Sequence, residues 1–337
     1  MSTSNSTPPA RTSTVTGIAL GLLAFALYAT HDAAIKTLGG SYSPFQVIFF
    51  VVLLSFPVVM LMLLRDPTEA NLRPRAPAWT LFRTATVVIG GFCAFYAFSV
   101  LPLTQTYAIL FATPMMITIL SVPLLGETVR IHRWMAVIAG LIGVLVVLRP
   151  GTAELGLGHA AALVAAFCGA MAGVIMRKTG SIERRVVLLV YPLITNFIVM
   201  LCILPFVYKP MPVEDLGLIL LVAVLAVCAM SLMIRAYTLT DAALVAPMQY
   251  SQIIWATLFG WLFFDETSDM MTFIGAGIII ASGAYIVLRE SGGNASENQP
   301  VLKSLSRRPE MGGLPGLSAA ATPKQVEPQD QIETPEK

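Results

Sequence analysis

The sequence predicts an all-α polytopic membrane protein: ten transmembrane helices as two inverted five-helix repeats, with disordered N- and C-terminal tails. Three observations predict it. Composition comes first. Of 337 residues 56% are hydrophobic and only 12% charged, with a mean hydropathy of +0.77, whereas soluble chains carry about 25% charged residues. The apolar runs come second, because they keep the length of about 20 residues that an α-helix needs to cross a bilayer. The third is a repeated pair of landmarks. The run Pro102 to Glu127 and the run Asp241 to Glu266 both end in Glu-Thr, and each is followed by one more apolar segment closing in Val-Leu-Arg.

Residues 1–16 are rich in Ser, Thr and Pro and carry one positive charge, Arg11. The tract is too polar for the core of a signal peptide. The apolar run behind it is long enough to stay in the membrane and lacks a cleavage site, so a disordered tail is expected. The ten expected spans are 17–36, 44–64, 78–99, 103–125, 132–149, 157–177, 186–207, 214–237, 241–264 and 269–289. Continuous apolar runs favour helices over barrel strands, since a helix satisfies its backbone within itself. Short connections make neighbours antiparallel. Beyond Arg289 the composition turns to Ser, Pro, Gly, Glu and Gln. Such a tract buries too little surface to offset its ordering entropy, so residues 290–337 are expected to form a disordered cytoplasmic tail dispensable for transport.

Positive charge orients the chain. With the N-terminus inside, the inner face holds Arg11, Arg65, Arg73, Arg75, Arg130, Arg133, Arg177, Lys178, Arg184, Arg185 and the basic residues of the tail. The outer face holds only Lys36, Arg149 and Lys209, and Arg83 and Arg235 lie within helices. By the positive-inside rule both termini are cytoplasmic. Residues 17–150 and 156–289 then each hold five spans. Five is odd, so the second set enters from the opposite face, an arrangement that places a binding site near the midplane between the halves.

Polar groups at membrane depth are costly unless they meet partners or line a wet cavity. Gln249, Tyr250, Gln252 and Trp255 sit mid-span in the ninth segment, with Asn196 at similar depth in the seventh. Tyr96 and Tyr107 lie nearer the outer side, with Gln105 at that helix mouth. Amides and phenols can bond a polar substrate and aromatic faces can stack on a flat one; the same amides also serve as interhelical glue. Asp32 and Lys36 are one turn apart on the first helix, with His31 beside them, roughly 22 Å along at 1.5 Å per residue. They read either as an ion pair with Lys36 snorkelling outward, or as a vestibule element that contacts substrate or takes a proton; His31 also reads as a packing residue. Arg83 and Arg235, near the inner ends of their helices, read as snorkelling cations or as an inner gate. Pro114, Pro192 and Pro247 can kink helices, and Gly90, Gly91, Gly140, Gly143, Gly275 and Gly277 are expected to permit close helix packing.

Cys93, Cys168, Cys202 and Cys228 lie singly in apolar runs, as packing residues do. No phosphate loop, HExxH, GxSxG or pair of catalytic carboxylates occurs. Glu127 and Glu266 fall at opposite faces and read as helix-end structure. No catalytic residue, enzyme activity, metal, cofactor or nucleic-acid partner is expected. The expected partners are a small-molecule substrate and the lipid bilayer; the oligomeric state is left open.

The stretch Leu101 to Gly151 resembles the first half of an EamA-type carrier of the drug/metabolite transporter superfamily. Ala236 to Glu266 resembles its second half, and Asp32 to Lys36 with Ser43 to Gln46 resembles its first hairpin. The likeness covers about residues 17–289. It implies ten helices in two inverted halves, a central cavity and an inner-membrane carrier that uses no ATP. Carriers of similar appearance include exporters of amino acids and related metabolites and riboflavin uptake carriers, and the pattern is nearest the riboflavin carriers of alphaproteobacteria. For such a substrate Tyr107 and Trp255 would stack the ring, and Gln249, Gln252 and Asn196 would bond its polar edge. Phe50-Val51 stands where many relatives carry Arg, so no charge contact is carried over there.

Overall fold

The computed structural model describes residues 11–64, 73–150, 155–179, 182–183, 185–240 and 242–291. Among them regular structure is wholly helical, with no strand. In chain order the helices are α1 (Arg11–Gly39), α2 (Pro44–Leu64), α3 (Pro77–Val100), α4 (Leu103–Leu110), α5 (Thr113–Leu125), α6 (Ile131–Leu148), α7 (Leu157–Thr179), α8 (Arg185–Val207), α9 (Val213–Leu239), α10 (Ala242–Val245), α11 (Gln252–Phe264) and α12 (Met270–Ser291). A 3-10 turn, Ala246–Ser251, joins α10 to α11.

Eight of these stretches are long and apolar enough to cross a membrane, and the chain is a multi-pass membrane protein. The second expected span, 44–64, is the apolar helix α2 of 21 residues. The ninth is interrupted, because its 3-10 turn leaves α11 with only 13 residues. The expected tails also shift. Helix α1 begins at Arg11, inside the stretch expected to be tail, and α12 continues to Ser291; the remaining tail residues lie outside the described ones.

Packing joins the first part of the chain to the second. Helix α1 lies along α9 and α3 along α7; α6 packs on α12, α2 on α8, and α4 on α11. Cross-packing of α5 on α7 has its counterpart in α11 on α1, and that of α2 on α9 in α3 on α8. The α6–α12 seam is made by glycine. A Cβ on Gly143 would stand 2.9 Å from the Gly275 carbonyl oxygen, and one on Gly275 would stand 2.7 Å from that of Gly143. A Cβ on Gly140 would meet the Met115 side chain, whereas Gly277 faces nothing within 4 Å; the expectation of close packing at Gly277 is therefore corrected. Large apolar side chains such as Leu81, Met135, Phe206, Trp261 and Phe263 stay exposed on the perimeter. An aqueous surface would not tolerate so much exposed apolar area, and a lipid-facing one requires it.

The bundle has two ends. At the first, the start of α3 meets the ends of α5 and α7 and the start of α8. At the second, the ends of α1, α3, α6 and α11 meet the starts of α4, α9 and α12. Each end is tied by a hairpin from the other half. At the second end Gln46 pairs its amide with the backbone of Lys209, at 2.7 and 2.8 Å. Tyr42 donates there to Asp215, and that carboxylate holds the Tyr42 phenol above its usual range, so it stays protonated as the donor. At the first end Glu183 accepts the Ala76 N–H and the Thr80 hydroxyl.

Candidate functional site

The fourth and ninth expected spans are both broken, and the breaks touch. Helix α4 ends at Leu110, Phe111 and Ala112 form a turn, and Pro114 opens α5. In the ninth span Pro247 falls in the first turn of the 3-10 stretch, where its missing N–H costs least. Phe111 and Tyr250, one from each break, meet edge to face with ring centroids 5.1 Å apart. Tyr250 is buried, and its hydroxyl occupies the space beside Gly283 of α12 where a Cβ would stand.

The end of the 3-10 stretch carries two polar atoms with nothing to bond. Ser251 Oγ and Gln252 Nε2 are both buried and have no hydrogen-bond partner, and Gln252 as a whole is 5% exposed. Leaving such a group unmet costs about 1–3 kcal/mol, and here two adjacent ones are open to a polar partner. Gln249 lies half-buried on the same turn, and Trp255 is half-buried one turn on, stacked on Phe259 with centroids 6.1 Å apart.

On the other side of Phe111 lies an ionisable cluster. Tyr107 of α4 contacts Phe111 at 5.9 Å and Phe98 at 5.2 Å between ring centroids. Its hydroxyl donates to Asp32 Oδ2. His31 Nδ1 lies 2.8 Å from Asp32 Oδ1. Asp32 is 0% exposed and His31 1%. Asp32, Tyr107, Phe111 and Tyr250 thus form one contact chain from α1 to the second break.

Lys36 departs from the expected outward snorkelling. Its ammonium crosses to the other half, 2.7 Å from Glu266 Oε1, donates to the Leu101 carbonyl and lies 5.4 Å from the centre of the Phe264 ring. The other carboxylate oxygen of Glu266 accepts the Leu103 N–H at 3.0 Å. At the first end Arg177, in the last turn of α7, pairs with Glu127. Each glutamate follows a left-handed residue that ends its helix, Gly126 (φ 69°) or Asp265 (φ 51°). In both, the glutamate N–H turns back onto the helix, Glu127 to Ser121 and Glu266 to Gly260, as helix C-caps with a left-handed residue do. These two glutamates, read from sequence as helix-end structure, are also the anionic halves of ion pairs between the two parts of the chain.

The remaining site residues disperse. Arg83 is buried and donates to the Leu188 carbonyl at 2.7 Å, so it faces the other half at the first end. Arg235 is exposed on α9, which parts it from Arg83. Asn196 is buried on α8 and Tyr96 half-buried on α3; no described hydrogen bond or ring contact ties either to the breaks. Ser251 was missed because a lone serine in an apolar run has no pattern. Among the described residues no group of three or more His, Cys, Asp or Glu side chains gathers in a way that could hold a metal ion.

The profile of the EamA-like transporter family matches residues 15–149 and again residues 156–288. The S-adenosylmethionine uptake transporter of Rickettsia felis is 25% identical over 276 residues, 82% of this chain and 94% of that protein. The riboflavin transporter of Vibrio cholerae is 30% identical over 224 residues, 66% and 75% of the two chains. The pseudopaline exporter of Pseudomonas aeruginosa is 24% identical over 270 residues, 79% and 94%. A solved crystal structure superposes with a TM-score of 0.54 at 18% identity, covering 81% of this chain and 95% of that one, a likeness of fold. With both halves matched, the chain belongs to the EamA-like transporter family and is a transporter of the drug/metabolite type.

Proposed function

We propose that this EamA-family transporter is a secondary carrier that takes up a small organic metabolite with a flat ring and a polar chain, riboflavin foremost, across the bacterial inner membrane. The observation that carries the reading is the pair of unmet buried polar atoms, Ser251 Oγ and Gln252 Nε2, at the point where two broken helices meet. Interrupted segments at corresponding places in two halves are the best pointer to a carrier's site. Gln249, Gln252 and Asn196 supply amides for a polar edge or chain, and Trp255, Tyr107, Tyr250 and Tyr96 supply rings. The relatives named for riboflavin and for S-adenosylmethionine support this class, since both compounds join a flat nitrogen heterocycle to a polar chain. The relative named for pseudopaline supports a second reading, export of an amino-acid-like metabolite.

The architecture in this reading is two inverted repeats, 17–150 and 156–289, with both termini cytoplasmic. Its support is the doubled family match and the way helix pairings recur when the halves are exchanged. The ion pairs Lys36–Glu266 and Arg177–Glu127 then close the outer and inner faces in turn, with Arg83 beside the inner one. Growth tests the function. In a riboflavin auxotroph without its own uptake system, expression restores growth at low external riboflavin. Failure to restore growth, together with new resistance to toxic amino-acid analogues, would instead establish export.

A further inference from the structure

We infer that Gly140 and Gly283 are positioning residues of the transport site: each is a recess in the α6–α12 pair that seats one helix break, and filling the recess displaces that break. The transport half of this inference rests on the site reading above; the seating half does not. Two independent contacts fix the pair itself. Gly143 and Gly275 let the backbones meet, since a Cβ on either would stand 2.9 or 2.7 Å from the other's carbonyl oxygen. The Ser282 hydroxyl of α12 donates to the Ala136 carbonyl of α6. Helices α4 and α5 and the 3-10 turn, which bear the breaks, all pack on this pair.

The two recesses are alike in place and differ in guest. A Cβ on Gly283 would stand 1.9 Å from the Tyr250 hydroxyl oxygen and 3.0 Å from its Cζ. A Cβ on Gly140 would stand 2.5 Å from Cε and 2.9 Å from Cγ of Met115. Tyr250 belongs to the second break, and Met115 lies in the first turn of α5, directly after the first break. Each guest therefore comes from the same half as its recess. Both are buried, Met115 at 0% and Tyr250 at 6% exposure. The Cβ on Gly283 would also lie 3.7 Å from Met115 Cε, so the two seats adjoin.

Filling the two recesses has unequal consequences. Met115 is unbranched and bends aside at low cost. The Tyr250 ring is rigid and bounded by Phe111, edge to face at 5.1 Å. A methyl at position 283 displaces that ring by about 1 Å, because overpacking is answered by shifts of side chain and backbone. The shift passes into the turn that carries Gln249, Ser251 and Gln252. Binding groups work within about 0.5 Å of their productive geometry, so a displacement of this size is felt by the substrate.

The test uses the full-length protein in proteoliposomes, with riboflavin as the probe, and melting of the same variants. Gly283→Ala should raise the counterflow KM about tenfold and keep the maximal rate per folded protein. Beside Tyr250→Phe, which removes the nearest atom, the same change should raise KM by less than about threefold over Tyr250→Phe alone. Gly283→Ala should lower the melting temperature by about 2–4 °C, and by less than half of that beside Tyr250→Phe. Gly277→Ala, on the same helix with nothing within 4 Å, should leave KM unchanged. Gly140→Ala should raise KM about threefold, and it carries the test if Gly283→Ala does not reach the membrane. An unchanged KM in the Gly140 and Gly283 variants, a maximal rate lost at constant KM, or an equal rise in Gly277→Ala overturns the positioning role. Additive melting shifts for Gly283→Ala and Tyr250→Phe overturn the seat. Non-additive shifts without riboflavin counterflow in the wild type support the seat and remove riboflavin.

Discussion

The two glutamate junctions share a plan and differ in how fully it is met. At the second end both oxygens of Glu266 are engaged, one by Lys36 and one by the Leu103 N–H. At the first end Glu127 pairs with Arg177, yet Glu127 Oε2 and Arg177 Nη1 are buried with no partner. The backbone is matched in the opposite sense. Gly126 takes its left-handed conformation freely, whereas Asp265 takes one that side chains disfavour. The saturated polar contacts therefore sit on the strained turn, and the relaxed turn carries the spare polar atoms. In a carrier whose ends open in turn, this makes the first end the cheaper one to part.

Double-mutant cycles would break the comparison most directly. Pairing Lys36→Met with Glu266→Gln should give a coupling of about 2–3 kcal/mol in thermal unfolding, and Arg177→Met with Glu127→Gln about 1 kcal/mol. Equal couplings would erase the difference between the ends. The turns sharpen it with a change of sign. Gly126→Ala should destabilise by about 1 kcal/mol, because nothing crowds the new Cβ and only backbone strain remains. Asp265→Gly should instead stabilise, by up to about 1 kcal/mol. Melting temperatures that fall in both variants would show that Asp265 is held by its side chain. The smallest effect belongs to the tail. Removing residues 296–337 should leave melting and uptake unchanged, because so polar a tract buries too little surface to add to the fold; lost uptake at normal membrane levels would give the tail a role.

Much of this was legible in residues. Runs of apolar residues gave the helices, and the repeated Glu-Thr marked both junctions. Pro114 and Pro247 marked both breaks. The partners were less visible. Spacing on one helix joins Asp32 to Lys36, but the lysine is drawn instead to a glutamate some two hundred residues away, and no local pattern encodes that approach. Tyr107 was read as a ring for stacking, while its hydroxyl is spent on Asp32. Gly277 and Arg235 carry the same residue types as Gly143 and Arg83; only the face each presents separates them, and in an apolar helix composition does not fix the face. Ser251 gained significance only when its neighbours were seen to leave it unbonded.

The central claim is that substrate is held where the two broken helices meet, and one measurement tests it: riboflavin counterflow in proteoliposomes for wild type, Gln252→Ala, Trp255→Ala and Trp261→Ala. Trp261 lies on the same helix as Trp255 but is 64% exposed on the perimeter. The account predicts exchange by the wild type, a KM raised about tenfold or more in Gln252→Ala and Trp255→Ala, and no change in Trp261→Ala. An unchanged KM in the first two variants, or an equal loss in all three, would contradict it.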